Sequence, residues 1–87
     1  MSTNQSISLL QEMAIFVKVV ETGSFSETAR QLGNTPSAIS RAISRLERAL
    51  GTRLLQRTTR KLRLSESGKQ VYAYCLEMVN AAQAVID

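Results

Sequence analysis

The chain has 87 residues, with 44% hydrophobic residues, one cysteine, no histidine and a formal net charge of +4. That length allows one domain with a modest core, excludes a disulfide within the chain, and leaves no zinc site of the usual Cys/His kind. Residues 2–6 are polar without a signal-peptide pattern, and no apolar run spans a bilayer, so a cytoplasmic location with no membrane partner is expected.

Hydrophobic periodicity predicts a first helix over about residues 7–21. Leu9, Met13, Phe16 and Val20 form its inner stripe, widened by Leu10 and Val17, and Gly23 ends it. Ser24-Phe25-Ser26-Glu27 then reads as a capping box. In such a box the serine hydroxyl accepts from the Glu27 amide, and the glutamate reaches back to the Ser24 amide. Phe25, Ala29 and Leu32 continue at helical spacing until Gly33-Asn34, two residue types that tolerate positive φ. Thr35 is placed to cap a third helix, with Pro36 at its first position, where a missing N–H costs nothing.

The third helix sorts its residues by face. Ile39, Ile43, Leu46 and Leu50 make a buried stripe, and Ser37, Ser40, Arg41, Ser44, Arg45 and Arg48 lie opposite. Ala29 and Ala38 are small enough for a close helix crossing. The exposed face carries one acid, Glu47, near its edge, whereas a merely solvated helix usually mixes both signs in i, i+4 pairs. A tight turn between two capped helices, the second basic on its outer face, reads as a helix-turn-helix whose second helix enters a DNA groove. The plainer reading is a helical hairpin with a solvated basic face.

Gly51 stops the third helix, and the period then changes. Arg53-Leu54-Leu55-Gln56-Arg57 is a short strand candidate, residues 58–61 a basic tip, and Leu62-Arg63-Leu64 an alternating strand. Together they predict a hairpin, or wing, with Arg57, Arg60, Lys61 and Arg63 at or near its tip. Strands this short must lean on the helices. Ser65 caps a last helix over about residues 66–86. Between Val71 and Ile86 its only polar residues are Glu77, Asn80 and Gln83, one narrow stripe. A helix this apolar needs cover on more than one side. A second copy of the chain is the expected cover, through Tyr72, Leu76, Val79 and Ile86; a downstream domain is the other reading. Cys75, in the same apolar run, is expected to be a small core residue.

Charge follows this layout. Residues 1–29 carry a net of −2, residues 30–69 a net of +8 and residues 70–87 a net of −2. The basic charge is concentrated where the third helix and the hairpin fall. Most of it is arginine, which forks onto phosphates and guanine edges better than lysine does.

The order helix, helix-turn-helix, wing, long apolar helix resembles the N-terminal DNA-binding domain of LysR-type transcriptional regulators. The resemblance runs through Phe16-Val17-Lys18-Val19-Val20-Glu21-Thr22-Gly23-Ser24-Phe25 and Ala29-Arg30-Gln31-Leu32. It continues through residues 36–47, through Leu50-Gly51-Thr52-Arg53-Leu54-Leu55-Gln56-Arg57, and through Leu64-Ser65-Glu66-Ser67-Gly68. It implies an all-α fold with a small β-hairpin: a winged helix-turn-helix over residues 1–64 and a linker and dimerisation helix over residues 65–87. It implies a homodimer on an interrupted palindrome in double-stranded promoter DNA. It also implies a C-terminal effector-binding domain, absent from this chain, through which a small-molecule effector would act. The DNA-binding set expected from the residues and the resemblance is Thr35, Pro36, Ser37, Ser40, Arg41, Arg45, Arg57, Arg60 and Lys61. Many members carry Gln just before the proline, where this chain has Thr35, and a hydroxyl lacks the bidentate geometry of that amide. Leu55 stands where Phe is common, a change in wing packing.

Two other readings stay open at this point. A general nucleic-acid binder would want an aromatic stacking platform, but the four aromatics are Phe16, Phe25, Tyr72 and Tyr74, none in a strand candidate. A helical module docking an acidic protein would use the same basic face. An enzyme is not expected, since histidine, clustered carboxylates and a glycine-rich phosphate loop are all missing from the sequence, and no cofactor is expected.

Overall fold

The structure, a computed structural model, describes residues 8–57 and 61–87. Its elements among the described residues are α1 (Leu10–Thr22), α2 (Phe25–Leu32), α3 (Pro36–Leu50), β1 (Leu55–Arg57), β2 (Leu62–Leu64) and α4 (Glu66–Ile86), the two strands forming a hairpin. The strands are antiparallel, with Leu55 opposite Leu64, Gln56 opposite Arg63 and Arg57 opposite Leu62.

α1 is the hub, packing on α2, α3 and α4. Three neighbours demand a wide apolar arc, and this widens the predicted stripe on one side only. Phe16, Val17 and Val19 are buried, while Leu10, expected inside, is 45% exposed. Val19 escaped the sequence reading because a single stripe assumes one packing partner. The continuous helix runs from Leu10, with Ser8 also helical before it, and Ile7, the expected start, lies outside the described residues. Leu32, the last residue of α2, is also exposed.

The turn from α1 to α2 is held by hydroxyls. Ser24 Oγ accepts from the Glu27 amide at 3.0 Å, as a capping box requires. The return bond does not form: the Ser24 amide donates instead to Thr22 Oγ1 at 3.2 Å. Thr22 and Thr28 share a 2.7 Å hydrogen bond, and Thr28 also donates to the Ser24 carbonyl at 2.8 Å. Thr28 is fully buried, so these bonds offset the desolvation of its hydroxyl. With the Ser24 amide satisfied by Thr22, the Glu27 carboxylate is released to Arg30 and Gln31.

The core joins Phe16, Val19, Ile39, Ile43, Leu46, Leu54, Leu55 and Cys75. Ile39, Ile43 and Leu46 are buried on α3 as the spacing predicts, with Ala42 beside them; Leu50 is half-buried. Phe16 and Tyr72 meet edge to face, with ring centroids 6.3 Å apart and planes at 87°, fastening α4 to α1. Cys75 is buried as expected, and burial pushes its thiol pKa up, away from reactivity.

Strand pairing begins at Leu55, two residues later than the predicted strand. The reason is that the preceding backbone is already engaged. The Leu54 amide is taken by the Glu47 carboxylate, and the Leu54 carbonyl by the Ser65 amide at 2.9 Å. Ser65 caps α4 as predicted, its Oγ accepting from the Gly68 amide at 2.9 Å. Gly68 sits where α4 crosses the Leu54 backbone. A Cβ there would lie 2.1 Å from the Leu54 carbonyl oxygen and 3.0 Å from its carbon.

Helix propensity alone favours Gly68→Ala by about 1 kcal/mol. Backbone on the far side of the contact cannot rotate away, so the expected sign reverses, to a net destabilisation of about 1–3 kcal/mol in urea unfolding. A stabilised variant would show that α4 and Leu54 separate at little cost.

Candidate nucleic-acid interface

The turn between α2 and α3 is built for a sharp change of direction. Gly33 takes φ 64°, a left-handed conformation that costs glycine little, and the Asn34 amide donates to the Ala29 carbonyl at 2.9 Å. Asn34 Oδ1 accepts from the Thr35 amide at 2.9 Å, and Thr35 Oγ1 accepts from the Ala38 amide at 3.1 Å. The Thr35 hydroxyl is therefore occupied as a helix cap, though Thr35 itself is exposed. Pro36 opens α3 as predicted.

From there α3 presents the polar face expected of it. Pro36, Ser37, Arg41, Arg45 and Arg48 are exposed, and Ser40 and Ser44 are half-buried along the same side. The first turns of α3 carry no acid, and among the described residues no carboxylate pairs with Arg41 or Arg48. Arg45 is different. Its Nε lies 3.3 Å from Glu12 Oε2 of α1, and the Glu12 side chain is only 12% exposed. The second Glu12 oxygen is buried without a hydrogen-bond partner. Arg45 thus has its charge partly compensated and its guanidinium held toward α1, while the rest of its side chain remains open.

Other acids draw charge out of the basic middle of the chain. Glu27 binds Arg30, whose guanidinium, helped by the Gln31 amide, holds the Glu27 carboxyl down to about 2. Glu66 pairs with Lys69 at 3.2 Å. Glu47, which the sequence places at the edge of the exposed face, turns instead toward the hairpin. Its Oε2 accepts from the Leu54 amide at 2.8 Å and the Leu55 amide at 3.2 Å. The available signal for this role was that Glu47 is the lone acid of a basic helix, and near the C-terminal end, where the helix dipole disfavours it.

On the wing, Lys61 and Arg63 are exposed, with Gln56 across from Arg63. The backbone of Arg57 closes β1. Arg60, expected at the tip, lies outside the described residues.

The four α4 residues expected at a dimer interface fall into different surroundings. Tyr72 stacks edge-on to Phe16. Leu76 and Val79 are half-buried against the core, while Ile86 is 77% exposed. Tyr74 and Val85, not singled out from sequence, are 75% and 86% exposed. Beside them a shallow groove of about 380 Å³ runs between α1 and the end of α4, lined by Leu10, Ala14, Met78, Val79, Ala82 and Ile86 among others. Glu77, Asn80 and Gln83 are exposed as expected. No helix among the described residues is long and apolar enough to cross a membrane.

Comparison with known proteins gives one family. Residues 10–69 match the family described as bacterial regulatory helix-turn-helix protein, lysR family. The chain is 54% identical over 82 residues to the probable HTH-type transcriptional regulator LtrA of Klebsiella pneumoniae, covering 94% of this chain and 26% of that protein. It is 45% identical over 76 residues to the HTH-type transcriptional activator AaeR of Escherichia coli (strain K12), covering 87% of this chain and 25% of that protein. The chain therefore spans about a quarter of the length of these curated relatives. Among solved structures it is similar to the BenM DBD/catB site 1 DNA complex, with a TM-score of 0.82 and 31% identity over 88% of this chain and 86% of that one. It also resembles hydrogen peroxide-bound OxyR of Corynebacterium glutamicum, with a TM-score of 0.82 and 27% identity, covering 88% of this chain and 24% of that one. With an α2–turn–α3 motif, a wing and a long last helix in the same order, the chain belongs to the LysR family of bacterial helix-turn-helix regulators and has the winged helix-turn-helix fold of their DNA-binding domains.

Proposed function

We propose that this chain binds an interrupted palindromic promoter site in double-stranded DNA as a homodimer, as the DNA-binding part of a cytoplasmic transcription regulator. The observation that carries the reading is the polar face of α3, with Ser37 and Arg41 exposed and no acid in its first turn. Such a face fits a major groove, where arginine and hydroxyl groups read base edges. In this reading Ser40 and Arg41 reach bases, with Ser37 helping. Pro36 and Thr35 bring the start of α3 against the backbone, and Arg45, steadied by Glu12, meets a phosphate. Arg57, Arg60 and Lys61 of the wing take backbone or minor groove. A small-molecule effector would act through a further domain outside this sequence.

Dimerisation runs through α4. Leu76, Val79 and Ile86 would contribute together with Val85, and Tyr72 through the edge not covered by Phe16. What supports this is the apolar surface left over at the end of α4 and its continuity with the groove against α1. A two-fold dimer matches a palindrome because each recognition helix then meets the same half-site.

Binding to the palindromic fragment and to random duplex, compared at fixed salt, tests the whole reading; equal affinity for both would overturn it. Within it, Arg41→Ala should cost about 1–3 kcal/mol on the specific site and relax specificity at one position. Equal weakening on random DNA would make Arg41 a phosphate contact. Replacing Arg60 by Ala should weaken all sequences alike and reduce the salt slope by about one, and an unchanged slope would remove Arg60 from the interface. Glutamates at the exposed positions Val85 and Ile86 should leave the fold intact, give a monomer in sedimentation, and lower full-site affinity by about a hundredfold or more. A variant that stays dimeric would move the interface elsewhere.

A further inference from the structure

The DNA-reading helix and the last helix make few direct contacts with each other. Apart from the core around α1, they are joined through the short backbone segment that follows α3. Glu47 Oε2 accepts from the Leu54 and Leu55 amides at 2.8 and 3.2 Å. On the other side, the Leu54 carbonyl accepts from the Ser65 amide at 2.9 Å. The peptide between Leu54 and Leu55 therefore holds α3 by its N–H edge and the cap of α4 by its C=O edge, since the two point opposite ways in a trans peptide. Ser65 Oγ also donates to the Arg53 carbonyl, and Thr52 Oγ1 donates to Ser67 Oγ at 3.1 Å. Gly68 lets α4 press onto the same carbonyl with no room for a methyl group, and the Leu54 side chain is fully buried. Neither end of this joint can slide without unpairing a part-buried polar group.

We propose that Glu47 is a positioning residue for DNA recognition, fixing the direction of α4 against α3 and so the spacing between half-sites that the dimer accepts. This rests on the dimeric DNA-binding reading above. If α4 pairs with its copy, the angle at the Leu54 joint sets the distance and relative rotation of the two recognition helices. Each inserted base pair moves a half-site by about 3.4 Å and about 35°, so a stiff joint rejects altered spacing and a loose one tolerates it. The chemistry at Glu47 also fits this role: an acid near the end of a basic helix is locally unfavourable, and its one bonded oxygen is spent on the joint.

The experiment measures affinity for duplexes carrying the palindrome recovered by selection of bound fragments, with the spacer varied one base pair at a time. A single half-site duplex is measured beside them. The unmodified chain should prefer one spacing by about tenfold or more over its one-base-pair neighbours. Glu47→Leu, which leaves both amides unpaired, should flatten that preference to within about threefold while half-site affinity stays within about threefold. Glu47→Gln keeps an oxygen acceptor in place and should retain the preference. The double variant Thr52→Val, Ser67→Ala leaves the core residues untouched and should flatten it in part, which keeps the test decisive should Glu47→Leu not fold. Full spacing preference in Glu47→Leu, or in the double variant where Glu47→Leu does not fold, would overturn the proposal. So would equal losses on half-site and full-site probes, or flattening by Glu47→Gln as large as that by Glu47→Leu. A lack of spacing preference in the unmodified chain would overturn the dimer reading itself, and this proposal with it.

Discussion

The backbone at Leu54 and Leu55 is shared by three elements, and the rest of the domain is arranged around that sharing. Its amides belong to the recognition helix through Glu47, its carbonyl to the last helix through Ser65, and its onward chain to the wing. A small domain buries a limited fraction of its surface and has few apolar contacts to spend on orientation. Hydrogen bonds to part-buried backbone set angles that apolar packing leaves soft, because leaving such a group unpaired costs about 1–3 kcal/mol. The strands of the wing are three residues each, too short to hold themselves, so their base must be fixed from outside.

A second constraint is the use of α1 as a common floor. One helix touching three others needs a wide apolar arc, which is why Phe16, Val17 and Val19, all within one turn, are buried together. That floor also carries the one acid that reaches the recognition face. Glu12 is buried enough to be stiff, and it holds Arg45 from behind, so α3 has one restrained arginine and, at Arg41 and Arg48, two that no described carboxylate engages. Arginine held in place loses less entropy on meeting a phosphate than one that must be ordered at that moment. The summed charge of the middle segment therefore overstates the field available to a partner. Arg30, Arg45 and Lys69 are each answered by a carboxylate, while no described carboxylate engages Arg41 or Arg48 of α3.

Much of this was legible in the sequence because the governing interactions are local. Helix caps at Ser24, Thr35 and Ser65, the Gly33 turn, the buried stripe of Ile39, Ile43 and Leu46, and the polar face of α3 all depend on residues within a few positions of one another. Local bonds follow from spacing and residue type alone, so the element order, the caps of α2, α3 and α4 and the polar face of α3 could be stated from the sequence. Family membership was also legible, since it rests on the same ordered motifs.

What only the tertiary structure decided depends on partners that folding brings together from elsewhere in the chain. Glu12 and Arg45 are 33 positions apart, and nothing in the spacing of either predicts the pair. Gly68 reads as an ordinary weak point in a helix until the Leu54 carbonyl is found against it. Glu47 reads as an edge acid until the chain turns back after Gly51 and presents two amides to it. Ser24 could have taken its reciprocal bond from Glu27, but a threonine from the preceding helix reached its amide first. In each case the sequence determined which groups could bond, and the packing of α1 against its neighbours decided which did, because a polar group that is being buried takes the partner geometry brings within reach.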